Sequence, residues 1–359
     1  MTNLSKIFNF YKNKKVIVTG HTGFKGAWLS LILSFFGAKV YGIALKTSSK
    51  NNLYNFINHK LMKDFILDIN DFNKLHKTIS KIKPDIIFHL AAQPLVYESY
   101  KNPLLTFQTN MIGSLNILHS SILNKRKTKL VMITSDKCYK NNEWLWGYRE
   151  NDELGGIDPY SASKACAEIA INSSVNSFIN QYPKVVTVRA GNVIGGGDWS
   201  DNRIVPDIIK SWKKNNLTLI RNPNATRPWQ HVLDPIFGYT MLPLYMDTKN
   251  FINGESFNFG PELDSEYRVI DVIKRLQTHL PGLNFKIKKN LKQKVHEASL
   301  LRLNCEKSKL KLKWKPKLSF EDTLSYTSDW YKYFFKFKNN KKDIERFTNS
   351  QIEKFFKID

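Results

Sequence analysis

Tyr160 and Lys164 stand four residues apart in Pro159-Tyr160-Ser161-Ala162-Ser163-Lys164. On a helix that spacing puts both side chains on one face. A free tyrosine, with a pKa of about 10, is a poor base at neutral pH, and a nearby ammonium favours its phenolate. Such a group can take a proton from a hydroxyl while hydride leaves the same carbon. Read alone, the pair is equally a surface contact. Thr134-Ser135-Asp136-Lys137 adds a hydroxyl, a carboxyl and an ammonium in succession. Ser135 can hydrogen-bond a reacting oxygen. A plain alcohol oxidation needs only that hydroxyl and Tyr160. An elimination needs more: one group removes a proton and another protonates the departing hydroxyl. Asp136 and Lys137 supply that pair; the plainer reading is a strand-end turn.

These residues need a scaffold, and the first half of the chain spells one. Short apolar runs at Lys15–Thr19, Lys39–Ala44, Phe65–Leu67, Asp85–Leu90, Lys129–Thr134 and Lys184–Arg189 read as six strands. Between them, Lys25–Phe36, Asp71–Ile82, Pro103–Leu123 and Pro159–Ile179 have helical patterns. Strand–helix alternation with nearly all-apolar strands predicts an α/β fold, a doubly wound parallel sheet covered on both faces. Ligands then sit beyond the carboxyl ends of the strands, where Thr134-Ser135-Asp136-Lys137 falls. Residues 1–190 read as a dinucleotide-binding domain, with a return segment near 230–260. Residues 191–359 read mainly as a smaller substrate domain of short, mixed, loop-rich segments, starting at Gly195-Gly196-Gly197.

Gly20-His21-Thr22-Gly23-Phe24-Lys25-Gly26 follows the first strand and opens the first helix. Glycine suits a tight turn and close backbone approach to a diphosphate, which the helix N-terminus then receives. Lys25 can assist a phosphate or lie on the surface. The second strand ends in Ala44-Leu45-Lys46, without the acid that would bind a ribose 2′-hydroxyl. The residues therefore leave NAD and NADP both open. Asp68 is a candidate acceptor for an adenine amino group, or a turn aspartate.

The 359 residues carry 55 Lys+Arg against 31 Asp+Glu, a formal net charge of +24. That balance raises nucleic acid as a rival partner. Yet only 10 of the cations are arginine, and the arginine fork is what reads phosphates and base edges. A lysine-coated surface, or a positive field for an anionic small molecule, explains the charge. Cys138, Cys166 and Cys305 are odd in number and lack ligand spacing, so no disulfide framework or metal site is expected, and a reducing compartment is. No apolar run is long enough to span a bilayer. The expectation is a soluble, cytoplasmic protein.

Together the glycine turn, the strand-end serine and Tyr160-x-x-x-Lys164 resemble the extended short-chain dehydrogenase/reductase family. The sequence is similar there to the nucleotide-sugar 4,6-dehydratases, and among them to the CDP-glucose group. The stretches that carry this are Gly20–Gly26, His89-Leu90-Ala91-Ala92-Gln93-Pro94-Leu95-Val96, Thr134–Tyr139, Arg189–Trp199, Arg227-Pro228-Trp229-Gln230-His231-Val232 and Gln351-Ile352. The resemblance implies NAD, held by Gly20, Thr22, Gly23, Phe24, Lys25, Gly26, Asp68, Ala91 and Ala92 with Tyr160 and Lys164. It implies oxidation at C4 of CDP-glucose by Tyr160, loss of water across C5–C6 with Asp136 as acid, and hydride return to C6. The product is a precursor of deoxysugars in surface polysaccharide. Lys137 stands where the dTDP-glucose and GDP-mannose relatives carry glutamate, which makes it the candidate C5 base. Asn192 and Arg227 are implied to hold the diphosphate, with Arg203 a lesser candidate beside them, and Gln93 to line the sugar site. Asn110 resembles an asparagine that orders the helix beside the site. The family implies a homodimer or homotetramer through the Pro103–Leu123 and Pro159–Ile179 helices. A 4-epimerase or reductase of the same fold is the rival within this class.

Overall fold

The computed structural model describes residues 3–47, 49–58, 61–178, 183–249, 252–262, 267–287 and 300–358. Seven strands form one sheet: β1 Lys15–Thr19, β2 Lys39–Ala44, β3 Met62–Ile66, β4 Ile86–His89, β5 Lys129–Ile133, β6 Lys184–Ala190 and β7 Ser256–Phe259. Their order is β7-β6-β5-β4-β1-β2-β3, and every pairing is parallel. The sequence dictates this directly. Side chains alternate across a strand, and here both faces are apolar. Val16, Val18, Ile86, Phe88, Val131 and Ile133 enter one buried cluster. Ile17, Ile87, Leu130 and Met132, the residues between them, enter the other. A sheet buried on both sides must carry helices on both sides.

Two expected elements differ. The third strand is Met62–Ile66, not Phe65–Leu67. It is the sheet edge, so Lys63 and Ile66 face solvent and its alternation hides it from an apolar-run reading. The expected Pro103–Leu123 helix is broken into Pro103–Phe107, a π-helical turn at Gln108–Ile112, and Gly113–Leu123. The Pro159 helix is described to Ser177; Ile179 lies outside the described residues.

The second half is more regular than its proline punctuation suggests. Leu233–Thr248, Phe320–Phe337 and Lys341–Phe356 are helices of 16, 18 and 16 residues. Pro235 sits in the first turn of the first of them, where a missing N–H costs nothing. Phe320–Phe337 starts in a capping box of Ser319 and Asp322. An Asn3–Tyr11 helix, not read from the sequence, packs on Leu233–Thr248, with the Tyr11 hydroxyl donating to the Thr240 carbonyl at 2.8 Å. Among the described residues, no helix is long and apolar enough to cross a membrane.

Candidate active site

The glycine turn sits at the carboxyl end of β1. Gly20 adopts φ +72°, and a Cβ there would lie 2.8 Å from the Ala91 nitrogen. At Gly26 a Cβ would lie 2.1 Å from the Gly20 carbonyl oxygen. Only glycine fits either position. The Phe24–Phe35 helix begins here without a side-chain cap, so its first N–H groups are left for an anion. Thr22 Oγ1 donates to the Leu45 carbonyl at 3.0 Å and ties the turn to the end of β2. A cradle that any Cβ would fill, facing bare helix N–H groups, suits a dinucleotide diphosphate. Ala91 joins it through its N–H, which donates to Thr19 Oγ1 at 3.1 Å. Asp68 is exposed, and its Oδ1 accepts from the Asn70 N–H at 2.9 Å, a turn aspartate.

Ser135 lies at the end of β5 and opens a one-turn 3-10 helix that carries Asp136 and Lys137. Its Oγ donates to Asp136 Oδ1 at 3.0 Å and accepts from the Lys137 N–H at 3.2 Å. Asp136 is buried, and its other oxygen, Oδ2, has no hydrogen-bond partner. Burial raises its pKa above the ordinary carboxylate value, against the opposing pull of Lys137, the Ser135 hydroxyl, Lys25 and Arg227. A carboxyl whose burial makes it hold its proton more tightly, with one oxygen bare, suits a general acid. Lys137 is half-buried on the same turn.

Tyr160 and Lys164 enter from the Pro159–Ser177 helix. Asp158 caps it by accepting from the Ser161 N–H at 3.0 Å, with Pro159 at the first position. Both side chains are buried. The nearby ammonium expected to favour the phenolate does not outweigh burial. Burial is the largest effect and pushes Tyr160 up to about 12, opposed by the Ser135 hydrogen bond and by Arg203. Lys164 is pulled down to about 8 by burial, against Glu168 and Cys138, and its Nζ reaches the Ile133 carbonyl at 3.4 Å.

The substrate-side candidates separate. The charge of Arg227 reaches Asp136, and its Nη1 donates to the Thr226 carbonyl at 2.8 Å. Arg203 Nη1 pairs with the buried Asp198 carboxylate at 3.0 Å, and its charge reaches Tyr160. Lys25 is half-buried, not on the surface. Burial lowers it to about 8, among Arg203, Asp136, Lys164 and Asp198. Asn192 is half-buried, and its carbonyl accepts from the Gln230 N–H at 3.1 Å. Gln93 does not present a free amide. Its Nε2 donates to the Leu95 carbonyl at 3.1 Å and to Thr106 Oγ1 at 3.0 Å, and its Oε1 accepts from the Leu95 N–H at 2.6 Å. It shapes the loop after β4; Ala92 precedes it there.

Asn110 explains the π turn. It is fully buried inside that turn. Its Oδ1 accepts from the Gln93 N–H at 2.8 Å, and its Nδ2 donates to the Gln93 carbonyl at 3.1 Å and to Ser163 Oγ at 2.8 Å. The chain continues behind it. Thr19 Oγ1 accepts from the Leu90 and Ala91 N–H groups, so its own proton goes to His89 Nδ1 at 2.8 Å. His89 Nε2–H then donates to Ser114 Oγ at 3.0 Å, which donates to the Asn110 carbonyl at 2.7 Å. Burial holds His89 down to about 3, so this tautomer stays neutral. One hydrogen-bond chain thus runs from the cofactor turn to the catalytic helix. Sequence reasoning missed His89 because a lone histidine in a strand carries no spacing signal.

Comparison with known proteins agrees with this geometry. A family profile described as GDP-mannose 4,6 dehydratase matches residues 17–327. CDP-glucose 4,6-dehydratase of Salmonella typhimurium is 43% identical over 331 residues, which cover 90% of this chain and 92% of the relative. Among solved structures, an epimerase from Methanothermobacter thermautotrophicus superposes with a TM-score of 0.82 at 23% identity, over 93% of this chain and 97% of that one. A dTDP-glucose 4,6-dehydratase from Bacillus anthracis, solved with NAD, gives 0.75 at 21%, over 89% and 97%. Those two likenesses establish the shared fold. The substrate-level kinship comes from the Salmonella sequence, with agreement along nine-tenths of both proteins, and places this chain in the CDP-glucose 4,6-dehydratases of the GDP-mannose 4,6 dehydratase family.

Proposed function

We propose that this chain converts CDP-D-glucose to CDP-4-dehydro-6-deoxy-D-glucose, with NAD as its resident cofactor. The observation that carries the reading is Asp136: a buried carboxyl with a raised pKa and a bare oxygen, one residue from the serine that bonds Tyr160. A 4-epimerase has no leaving hydroxyl to protonate and no use for such a group. When bound in the glycine turn, NAD would supply the hydride acceptor for the sugar C4 and the hydride donor for C6.

The residues divide the remaining work. Tyr160, in a hydrogen bond with Ser135, takes the proton of the 4-hydroxyl in its phenolate form. The resulting 4-ketone acidifies the C5 proton, for which Lys137 is the nearest base on the same turn. Asp136 gives its proton to the 6-hydroxyl, which leaves as water. Lys164 keeps a positive charge beneath the phenol. Arg227, with Arg203 and Asn192 beside it in this reading, meets the diphosphate; a guanidinium forks onto phosphate oxygens. Gly20, Thr22, Gly23, Phe24, Gly26, Ala91 and Ala92 form the dinucleotide cradle, with Lys25 and Asp68 at its margins.

Incubation with CDP-glucose is expected to generate the alkali-stable ultraviolet absorbance of a 4-keto sugar. Turnover of a UDP- or GDP-sugar instead, or epimerisation without that absorbance, overturns the substrate or the reaction. Gly26→Ala is expected to weaken NAD binding by about tenfold or more, because its methyl has no space over the Gly20 carbonyl. Calorimetric titration of NAD checks this, and unchanged affinity removes the turn from the cofactor site.

The reading includes a homodimer. Its support is a set of apolar side chains left on the two helices expected to pair: Leu104 is 84% exposed, Leu105 51%, Ile112 41% and Ile169 56%. It also places the enzyme in the cytoplasm and its product on a route to surface deoxysugars; three free cysteines, two of them buried, suit that compartment.

A further inference from the structure

Beneath the site lies an ion pair that the reaction as described does not use. Glu168 and Arg189 are both almost wholly buried, with Arg189 Nη2 2.9 Å from Glu168 Oε2. The pair bonds Ser256 of β7 and Thr187 of β6, and it also reaches both flanks of the Asp136 turn. Thr134, which precedes Ser135, donates to Glu168 Oε1. Thr187 of β6 donates to Oε2 at 2.8 Å. Arg189 Nη1 donates to the Tyr139 hydroxyl and to the Glu150 carbonyl, each at 2.9 Å. Its guanidinium also lies 4.9 Å from the Tyr139 ring centre. The Tyr139 hydroxyl donates in turn to Asn258 Oδ1 at 2.7 Å, on β7.

The Ser135-Asp136-Lys137 triplet is therefore held at both ends by one pair: at Thr134 through Glu168, and at Tyr139 through Arg189. Glu168 also lies one helical turn beyond Lys164, on the same face. We propose that Glu168, fixed by Arg189, is the positioning residue of this enzyme, setting both the placement of the Asp136 turn and the charge of Lys164. A network used only to support the fold would have no reason to end on both flanks of the reacting residues. Among the described residues, the charged and titratable groups around Lys164 are Tyr160 and Glu168 on its own helix, Cys138 on the Asp136 turn, Lys25 on the first helix and His89 on β4. Glu168 is the one carboxylate among them, so it is what opposes the cost of burying that ammonium.

The inference rests on the dehydratase reading, and the test separates the two. Wild-type enzyme must first turn over CDP-glucose; if it does not, the reading fails and not the pair. Glu168→Gln keeps the shape and removes the charge. Its kcat should fall about tenfold or more with KM little changed. The alkaline limb of its pH profile should move down by about one unit, because an opposite charge has been taken from Lys164. Glu168→Asp should recover part of both. Independently of turnover, the pH titration of the 13C-labelled Lys164 ε-carbon, assigned by its loss in Lys164→Arg, should shift the same way. Should the single variant not fold, Glu168→Gln combined with Arg189→Met removes both charges and leaves no unpaired ion. A folded variant of either kind with wild-type kcat, pH profile and Lys164 titration overturns the proposal.

Discussion

Tyr160→Phe is expected to lower kcat by about 10²–10⁴-fold while leaving CDP-glucose affinity within about threefold of wild type. The substitution removes one oxygen from a buried site and leaves the ring in place. That oxygen is the group within reach of Ser135 that can accept the 4-hydroxyl proton. Burial has pushed the hydroxyl up to about 12, so at neutral pH the free enzyme holds it protonated. The sign follows: wild-type kcat/KM rises with pH until the phenolate is populated or Lys164 loses its proton, and the Phe variant loses that rise. Stopped-flow turnover across pH 6–9, with affinity measured by calorimetry, checks both halves. A Phe variant within tenfold of wild type would assign the base elsewhere.

Asp136→Asn is expected to separate the two halves of the reaction. Oxidation at C4 and removal of the C5 proton do not need a proton from Asp136; departure of the 6-hydroxyl does. In deuterated water the variant should return CDP-glucose labelled at C5 while forming little 4-keto-6-deoxy product, a loss of about 10²-fold or more. Mass spectrometry of recovered substrate reads this directly. Unlabelled substrate would mean that Asp136 acts earlier, and wild-type turnover that it is not the acid. The same variant has a stability signature. Burial raises the folded carboxyl above its unfolded value, so its favourable contribution is full below the unfolded pKa and is lost as pH rises through the folded one. Above that pH the ionised group is a burden on the fold. Asp136→Asn should therefore raise Tm, by about 1–3 °C, on the alkaline side of that titration, and the gain should vanish in acid.

Much of this was legible in the residues because the relevant physics is local. β1, β2, β4 and β5 are apolar on both faces, and a run such as Ile86-Ile87-Phe88 has no other soluble use. The glycine turn was visible because backbone crowding excludes other residues there. The Tyr160–Lys164 spacing was visible, but its electrostatics were not. Burial depends on what covers a helix, and the cover comes from residues far along the chain. The π turn stayed hidden because Gln108–Ile112 keeps its apolar spacing; only the position of Asn110 against Gln93 and Ser163 reveals the extra residue. Gln93 looked like a site residue because it lies in a site loop, yet its amide is occupied by its neighbours. Arg189 read as one polar residue in a strand, and its pairing with Glu168 spans 21 positions that no spacing rule connects.

The bond between Tyr11 and Thr240 has a bearing on synthesis. The Asn3–Tyr11 helix finds its partner 229 residues later in the chain. At ordinary rates of translation that is a wait of roughly 10 to 50 seconds. During it, Ile7, Phe8 and Tyr11 have no Leu233–Thr248 helix to rest against. The nascent chain can assemble β1 to β6 as it emerges, but the last strand and the clasp at its front end close together, late. A ribosome stalled before residue 240 would hold a sheet with one raw edge and an apolar helix in search of a substitute.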